Sequence, residues 1–483
     1  MEETKRTKLI WTAIILVALI LFAGWIWRGN PSELPISRTE GLDPLLVEPD
    51  SEKIPSVSFA DTVGWKADEA PQAAPGLAVS RFAEGLDHPR TMLLLPNGDV
   101  LVAETGSPKQ GGSGGVTGFF MGLAMKFVGA GDASPNRIVL LRDADGDGRA
   151  EERFTFREKD LDSPSGMAWS GGKLYVANHD AVLAFDFVPG ATVLSGEPRR
   201  VMDLPAGGNH WMRNLLASED GKNLYVAVGS SSNIGENGMG REERRAAILE
   251  LDLTTGRNRQ YAGGLRNPNG MAWNPSTGEM WTVVNERDML GPDLVPDYLT
   301  NVPLGAQYGW PWLYWRKNLD WRVKEPIPDY LDEYTRKPEY ALGAHTAPLG
   351  LLFASGGSRM GEGFANGAFI ARHGSWNRKP VSGYDVVFVA FDGFGNPVGM
   401  PKPVLSGFLV GKGADTRGRP TWLAWDSTGG LLVSDDTGGI IWRVTAPGAA
   451  ASVRPAAVKV GRLLPQRSLQ GDPNAAFRDN DTP

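Results

Sequence analysis

The chain contains no cysteine. That absence excludes disulfide bonds, a thiol nucleophile, cysteine-ligated zinc, iron–sulfur clusters and a CxxCH haem attachment site. The formal net charge is −7 at pH 7, so the chain also lacks the basic footprint of a protein that binds nucleic acid. No P-loop or HExxH sequence occurs, the one GxSxG string (GGSGG, residues 111–115) lies in a glycine-rich stretch and not at the end of an apolar strand, and no GxGxxG leads from a strand into a helix. An ATPase, a serine hydrolase elbow, a zincin and a nicotinamide fold are therefore without support.

What the chain does contain is a repeated phrase. Its two best copies are GLDHPRTMLLLPNGDVLVAE (residues 85–104) and GLRNPNGMAWNPSTGEMWTVVNE (residues 264–286). Each copy has a polar pair, a proline, an apolar strand, a glycine-bearing turn and a second apolar strand, and weaker copies begin near residues 161, 208, 345 and 418. Because such units cannot bury their faces alone, six copies predict an all-β fold, a closed six-bladed β-propeller.

The N-terminal region predicts one transmembrane helix. Residues 9–27 form an apolar run of 19 residues without a charge, about 28 Å long as a helix at roughly 1.5 Å per residue. Lys5, Arg6 and Lys8 precede this run, and Trp25 and Trp27 end it. The positive flank predicts that residues 1–8 are cytoplasmic and that the anchor holds the body in the periplasm at the inner membrane. A cleaved signal peptide is the alternative.

Composition divides the rest of the chain into three parts. Residues 28–75 are rich in Pro, Glu, Asp and Ser and predict a linker, residues 76–444 carry the repeats, and residues 445–483 form a tail rich in Ala, Pro and Arg. Within the repeats, DADGDGRAEE (residues 143–152) has the alternating acids of a calcium loop, but Phe154 stands where an EF-hand has its last acid. A calcium-binding hairpin and a simple Asp-Gly turn both stay open for this string.

Aligning the copies on their proline predicts which side chains meet at one mouth of the propeller. Equivalent loops surround one end of the central channel, so polar residues just before the proline are expected to line an axial pocket. Arginines near these loops suit an anionic ligand, with a surface array of salt bridges as the alternative. The residues that precede the aligned position are His88, Ser163, His210, Asn267, Ala347 and Arg419, and Arg266 and Thr346 lie one step earlier.

Seven segments carry a resemblance to a known family. They are GNHWMRNLLASEDGKNLYVAVGSSSNIGENG, RRAAILELD, GLRNPNGMAW, VVNERDMLGPDLVPDYLT, YGWPW, ALGAHTAPLGLLF and HGSWNR, in that order. Together they resemble the L-sorbosone dehydrogenase branch of the soluble glucose/aldose sugar dehydrogenases. The resemblance implies a six-bladed propeller, pyrroloquinoline quinone (PQQ) and Ca²⁺ as cofactors, and a quinoprotein oxidoreductase that oxidises an aldose or a sugar aldehyde such as sorbosone.

The resemblance also implies the roles of individual residues. His210 matches the general base that removes the C1 hydroxyl proton while hydride passes to the quinone, and Arg266 matches the arginine on the quinone oxygens. The backbone carbonyls of Arg287 and Asp288 match the turn that ligates Ca²⁺. The cofactor-binding positions implied are Asn267, His345, Arg378 with Lys379 as its alternative, Arg417 and Arg419. Because the chain has no haem motif, electrons would leave through a separate acceptor, a cytochrome or a quinone.

Two other functions compete with this interpretation. One is a Ca²⁺-dependent propeller hydrolase of the lactonase kind, for which Glu104 and Glu286 at strand ends are the carboxylate candidates. The other is a non-catalytic periplasmic propeller that binds a partner. Relative to the soluble glucose enzymes, this chain has Met-Arg-Asn (residues 212–214) in place of the Gly-Arg pair after the histidine and Gly-Ser-Ser-Ser-Asn (residues 229–233) in place of the Gly-Asp-Gln string. Both departures fit the sorbosone-like branch and put glucose as substrate in doubt.

Overall fold

Most of the chain forms six antiparallel sheets arranged in a ring. The computed structural model describes residues 11–12, 14–17, 30–52, 58, 60–108, 134–411 and 415–458. In each sheet, four strands are hydrogen-bonded in a row, and the first strands of successive sheets contact one another around the ring, including the sixth with the first. The sheets are therefore the blades of a closed propeller, and the prediction of an all-β propeller is confirmed.

The blades are numbered in chain order. Blade 1 comprises Pro89–Leu94, Val100–Glu104, Arg137–Arg142 and Glu152–Arg157. Blade 2 comprises Gly166–Ser170, Lys173–Ala177, Ala181–Asp186 and Arg199–Asp203. Blade 3 comprises Arg213–Ala217, Asn223–Val228, Ala247–Asp252 and Asn258–Gly263. Blade 4 comprises Pro268–Trp273, Met280–Val284, Pro296–Asn301 and Tyr340–Ala344. Blade 5 comprises Pro348–Phe353, Gly367–Arg372, Asp385–Phe391 and Pro397–Ser406. Blade 6 comprises Pro420–Trp425, Leu431–Asp435, Ile440–Thr445 and Ala78–Ala83. The outer strand of blade 6, Ala78–Ala83, thus precedes blade 1 in sequence, and its pairing with Ile440–Thr445 closes the ring.

The second strands of blades 1, 4, 5 and 6 are buried along their whole length. Val100–Glu104, Met280–Val284 and Leu431–Asp435 show this pattern. Both faces of a blade pack against neighbouring blades, so these strands are apolar without the alternation of a half-exposed strand. Trp281 of blade 4, for example, packs edge-on against Phe391 of blade 5 with ring centroids 5.0 Å apart.

The register of the repeats corresponds to the blade boundaries. Four first strands begin at the aligned proline, which has no N–H to contribute to a ladder and so suits the first position of a strand: Pro89, Pro268, Pro348 and Pro420. The preceding residues His88, Ser163 and Ala347 share a left-handed backbone, with φ of 48°, 48° and 52°. Equivalent positions in the sequence therefore adopt one loop conformation at the same end of three blades.

The N-terminal segment, expected from composition to be a linker, lies against the propeller. Glu40–Gly41 adds a fifth strand to blade 4, and Gln72–Ala73 adds one to blade 5. Asp61–Thr62 pairs with Asp415–Thr416, which also pairs with Leu409–Val410. Apolar packing adds to these strand pairings, since Trp65 lies edge-on against Phe408 and Trp442 with ring centroids 5.5 and 5.2 Å apart. A polar composition does not reveal such contacts.

The remaining elements are short. They are the 3₁₀ helices Ile36–Thr39, Met239–Glu242 and Glu362–Phe364, the α-helix Leu331–Tyr334 and the strand pair Leu313–Tyr314 with Asn318–Leu319. Of the expected anchor at residues 9–27, only residues 11–12 and 14–17 are described, and they are helical. Among the described residues, no helix combines the length and the hydropathy needed to cross a membrane. The tail beyond residue 458 lies outside the described residues.

The ion pair between Glu40 and the buried Arg372 provides a test of the docking of the N-terminal segment. We expect Glu40→Gln to lower the free energy of unfolding by about 1–3 kcal/mol, because a buried charged donor loses one partner. Asp385 still pairs with Arg372 and limits the loss. Urea denaturation measures the effect, with Glu33→Gln at an exposed position of the same segment as the control. Equal stability of the two variants would show that the docked segment contributes nothing through this pair.

Candidate functional site

His210 lies in the loop before blade 3, at the mouth predicted by the register. Its Nδ1 is 2.9 Å from the carbonyl oxygen of Ser230 and 3.0 Å from Ser230 Oγ. A carbonyl oxygen only accepts, so Nδ1 carries the hydrogen and Nε2 keeps its lone pair. The Ser230 hydroxyl donates to the carbonyl of Ser232 at 2.6 Å, which holds this loop in place. The geometry therefore leaves Nε2 as a proton acceptor.

The electrostatic surroundings keep His210 neutral. Burial and the positive charge of Arg266 lower the pKa of His210 to about 3, against the smaller opposing effects of the Ser230 carbonyl and Asp288. At neutral pH the imidazole is therefore uncharged. That is the protonation state that general-base chemistry requires.

Gly229 allows His210 and Asn267 to approach each other. A Cβ at this position would lie 2.3 Å from Asn267 Oδ1 and 2.6 Å from His210 Cβ. Both distances are shorter than any real contact, so a side chain here would push the two residues apart. The structure thus brings together two residues that the sequence analysis assigned to one pocket from different blades.

Arg266 is held by several partners. Its Nε and Nη2 donate to the carbonyl and side-chain oxygens of Asn233 at 3.1 and 2.9 Å. Nη2 also lies 3.0 Å from Asp288 Oδ2, and Nη1 donates to the carbonyl of Glu286 at 2.5 Å. The guanidinium is therefore fixed in orientation beside the loop that holds His210.

His345 and Asp288 form a second charged contact at Arg266. His345 Nδ1 is 3.4 Å from Asp288 Oδ1, and its Nε2 is 3.1 Å from the carbonyl of Gly291. Burial alone would lower the pKa of His345, but the contact with Asp288 outweighs it and the pKa is raised. Burial likewise opposes the charge on Asp288, yet Arg266 and His345 hold its pKa below the usual range. Both groups are charged between the lowered pKa of Asp288 and the raised pKa of His345, so the ion pair weakens as pH rises above the pKa of His345 or falls below that of Asp288.

The turn at residues 287–288, the predicted calcium ligand, is densely hydrogen-bonded. The side chain of Arg287 is fully buried and donates to the carbonyls of Pro311 and Leu313 at 2.6 and 2.8 Å. The carbonyl of Asp288 accepts from Asn233 Nδ2 at 3.1 Å and from Arg322 Nη1 at 2.9 Å. A carbonyl oxygen has two lone pairs, so a cation at this oxygen has to displace one of these donors.

A second polar cluster lies where blades 1, 5 and 6 meet. Arg419 donates from Nε and Nη2 to the carbonyls of His373 and Gly374 at 3.0 and 2.9 Å. His373 Nε2 is 2.9 Å from Asp436 Oδ2, which Arg90 Nη1 approaches to 2.7 Å. Burial and the charge of Arg419 lower the pKa of His373 to about 4, so this imidazole is also neutral at pH 7.

Sequence reasoning placed Arg419 at the mouth but missed Arg90, His373 and Asp436. Two of them had a signal. Arg90 directly follows the aligned Pro89, and Asp436 directly follows the second strand of blade 6. The alignment on the proline predicts only the residues before it, and both Arg90 and Asp436 lie after that position in their repeats.

Three predicted cofactor-binding cations have their contacts elsewhere. Arg378 is buried and pairs with Asp293, with Nη2 3.0 Å from Oδ1. Arg417 pairs with Glu69 of the N-terminal segment at 3.1 Å, and Lys379 is exposed. These contacts do not join the three residues to the other predicted site residues. A sequence pattern cannot reveal this, because the partners of Arg378 and Arg417 are distant in sequence.

The two glutamates considered for a hydrolase metal site are both engaged with arginines. Glu104 is fully buried and accepts from Arg137 and Arg153. Glu286 pairs with Arg287 at 3.0 Å. Their carboxylates are thus neutralised within the fold and do not form an open cage for an axial metal ion.

The acidic string at residues 143–152 folds into a tight turn. Carboxylate oxygens of Asp143, Asp145, Asp147 and Glu151 lie within 4.8 Å of one another. Backbone N–H groups of Gly146 and Gly148 donate to Asp143 at 2.8 and 2.9 Å. An Asp-Gly turn explains this geometry, and calcium binding at the turn stays a prediction.

The neutrality of His210 can be measured directly by NMR. We expect its imidazole to remain uncharged down to about pH 4, because burial and Arg266 hold its pKa near 3. The chain has only five histidines, so a pH titration of ring resonances is tractable, and His210→Ala assigns the signal. A titration midpoint near 6.5, the usual value for histidine, would contradict the electrostatic account.

Comparison with known proteins gives the family. A family model described as TrAA12-like matches residues 137–297 and 329–447, more than half of the chain. The PQQ-dependent pyranose dehydrogenase of Coprinopsis cinerea is 25% identical over 435 residues, which cover 77% of this chain and 55% of that protein. The chain therefore spans about half the length of this curated relative.

Solved structures share the fold. A calcium structure of the Trichoderma reesei carbohydrate-active enzyme of family AA12 has a TM-score of 0.63 at 21% identity, covering 78% of this chain and 97% of that one. The holo form of the PQQ domain of the Coprinopsis cinerea pyranose dehydrogenase has a TM-score of 0.60 at 21% identity, covering 80% and 100%. With its propeller blades and the matched segments, this chain belongs to the TrAA12-like family.

Proposed function

We propose that this protein is a PQQ- and Ca²⁺-dependent dehydrogenase that oxidises an aldose or a sugar aldehyde. The proposal is supported by the curated relative, which is a PQQ-dependent pyranose dehydrogenase. The observation that carries it is the state of His210. This residue is a neutral imidazole with its hydrogen on Nδ1 and the lone pair on Nε2, beside a fixed arginine at the mouth of the propeller.

The residues at the mouth fit a cofactor with several carboxylates. Arg266 and Arg419 are buried there, and each is oriented by backbone carbonyls. The Nε of Arg90 is buried and has no hydrogen-bond partner within the described part of the chain. PQQ has three carboxylates and a quinone, so it offers acceptors for such donors.

Each residue has a defined part in the proposed reaction. PQQ, when bound, supplies the two-electron acceptor for a hydride. His210 Nε2 accepts the proton of the substrate hydroxyl, while Nδ1–H stays on the Ser230 carbonyl and fixes the ring. Arg266 provides positive charge where negative charge develops. The positive charge of Arg266 contributes to the low pKa of His210. An anionic ligand at Arg266 would offset that charge, so it would raise the pKa of His210 and make the imidazole a stronger base.

Calcium is the second proposed cofactor, with the carbonyls of Arg287 and Asp288 as its protein ligands. Hard cations take oxygen ligands of this kind. Arg322, which donates to the Asp288 carbonyl, is the donor to be displaced, because its side chain is also paired with Asp320. The requirement for calcium therefore has to be tested separately from PQQ binding.

Sorbosone-like substrates are the finer proposal. The support is the sequence alone, because residues 212–214 (Met-Arg-Asn) and 229–233 (Gly-Ser-Ser-Ser-Asn) depart from the Gly-Arg and Gly-Asp-Gln strings of the soluble glucose enzymes. For an aldehyde substrate, the hydrated gem-diol supplies both the hydroxyl proton and the hydride. His210 then serves both substrate classes with the same geometry.

We also propose that the body lies in the periplasm, anchored at the inner membrane, and passes electrons to a separate cytochrome or quinone. The support is the uncharged run at residues 9–27 with its basic N-terminal flank, and the absence of a haem motif.

Reconstitution tests the function. We expect PQQ with Ca²⁺ to give a bound-cofactor absorbance spectrum and to support dye reduction by aldoses or sorbosone. Samples with chelator, with PQQ alone and with Ca²⁺ alone are the controls, and they separate the two cofactor requirements. If PQQ and Ca²⁺ together give no bound spectrum and no dye reduction with any sugar, the proposed function is wrong.

A further inference from the structure

We propose that Arg90 is a ligand-binding cation of this site, which contacts a carboxylate of the bound cofactor together with Arg419. This inference rests on the proposed function. It gives Arg90 a role that the sequence analysis gave to Arg378 and Arg417, whose charges are paired with Asp293 and Glu69.

The position of Arg90 connects the two halves of the mouth. It is the second residue of blade 1, and its Nη1 lies 2.7 Å from Asp436 Oδ2 of blade 6. Its guanidinium carbon lies 5.4 Å from the ring centroid of Trp211, the residue after His210. Arg90 Nη2 is 3.1 Å from Met212 Sδ. The guanidinium therefore lies against the loop that carries the proposed base.

The hydrogen-bonding capacity of Arg90 is mostly unused within the described residues. Guanidinium has five N–H donors, of which Nη1 has a carboxylate partner and Nη2 faces a thioether, a weak acceptor. Nε is buried with no partner. Burial lowers the pKa of Arg90 despite the opposing charge of Asp436. Buried donors without acceptors are unfavourable, and a ligand carboxylate would supply the missing acceptor.

The local charges favour an anion beside Arg90. The positive charge of Arg419 contributes to lowering the pKa of Arg90, and Asp436 is the carboxylate that Arg90 faces. Asp436 is shared with His373, which is neutral at pH 7 because its pKa is lowered to about 4. Asp435 is adjacent, but its Oδ1 accepts from backbone N–H groups of Arg419 and Gly438. A ligand carboxylate would add an acceptor beside Arg90, for which Asp436 is the carboxylate partner, and Arg419, which donates to the carbonyls of His373 and Gly374.

Binding of PQQ, measured by quenching of tryptophan fluorescence in the presence of Ca²⁺, tests the inference. We expect Arg90→Ala to raise the Kd about 10- to 100-fold, the loss typical of a charge-assisted hydrogen bond. The Kd of Arg90→Lys should lie between those of Arg90→Ala and the unaltered protein, because lysine keeps the positive charge but lacks the two parallel N–H donors of the guanidinium group. Arg200→Ala, at a half-exposed surface pair on blade 2, is the matched control and should bind normally.

Asp436→Asn separates ligand binding from a structural role. Removing the competing carboxylate should lower the Kd for PQQ if Arg90 binds the ligand. If Arg90 only holds blades 1 and 6 together, the same variant should weaken binding and lower the melting temperature. This variant also covers the case in which Arg90→Ala fails to fold.

Two failures are distinguishable. Binding by the unaltered protein with an unchanged Kd in Arg90→Ala overturns this inference alone. No binding by the unaltered protein overturns the proposed function, and the role of Arg90 with it.

Discussion

Replacing His210 with alanine should slow cofactor-dependent sugar oxidation by about 10²- to 10⁴-fold, the range that loss of a general base produces. Nε2 is the proton acceptor in the proposed reaction, and its loss leaves no imidazole on this loop. The measurement is dye reduction at saturating PQQ, Ca²⁺ and sugar, together with the Kd of PQQ.

The binding measurement shows which step is lost. We expect His210→Ala to bind PQQ nearly as well as the unaltered protein, because the predicted cofactor contacts come mainly from arginines. His179→Ala, where the ring pairs with Asp162 of blade 2, is the histidine control and should keep full turnover. Full turnover in His210→Ala would remove this residue from catalysis.

Replacing Arg266 with alanine should have two large effects. Turnover should fall about 10²- to 10³-fold, as when a donor to developing negative charge is removed. The free energy of unfolding should fall by about 1–3 kcal/mol, because the carboxylate of Asp288, 19% exposed, loses its main cation while His345 still pairs with it. Dye reduction and urea denaturation measure the two effects.

A second substitution separates the two effects of Arg266. Adding Asp288→Asn to Arg266→Ala removes the uncompensated carboxylate, so stability should recover while turnover stays low. Arg200→Ala is the surface control, and it should change stability by less than about 1 kcal/mol. Recovery of turnover in the double variant would show that Arg266 acts only by neutralising Asp288.

The sequence predicted the parts of the site that follow from the repeat. The aligned proline marks the first strand of four blades, and the position before it led to His210, Asn267 and Arg419. Arg266, one step earlier, is hydrogen-bonded to Asp288, and Gly229 lies between His210 and Asn267. Local chain conformation repeats from blade to blade, so register predicts which positions share the mouth.

The partners of these residues were not predictable in the same way. Arg378 and Arg417 have the expected residue type, yet Asp293 and Glu69 pair with them. Docking of the N-terminal segment combines strand pairing, the packing of Trp65 and individual ion pairs, such as that of Glu40 with Arg372. An arginine in a sequence has the same appearance whether its charge is free or neutralised.

By itself, then, the sequence determined the propeller fold, the mouth at which polar loops converge and the identity of the proposed base. Periodic apolar strands and turn residues are local properties, and they repeat wherever the same unit recurs. Only the tertiary structure decided the protonation state of His210, the pairing of Arg266 with Asp288, and which arginines remain available to a ligand. Those properties depend on burial and on charges brought together from distant blades, because electrostatic interaction follows distance in space and not separation along the chain.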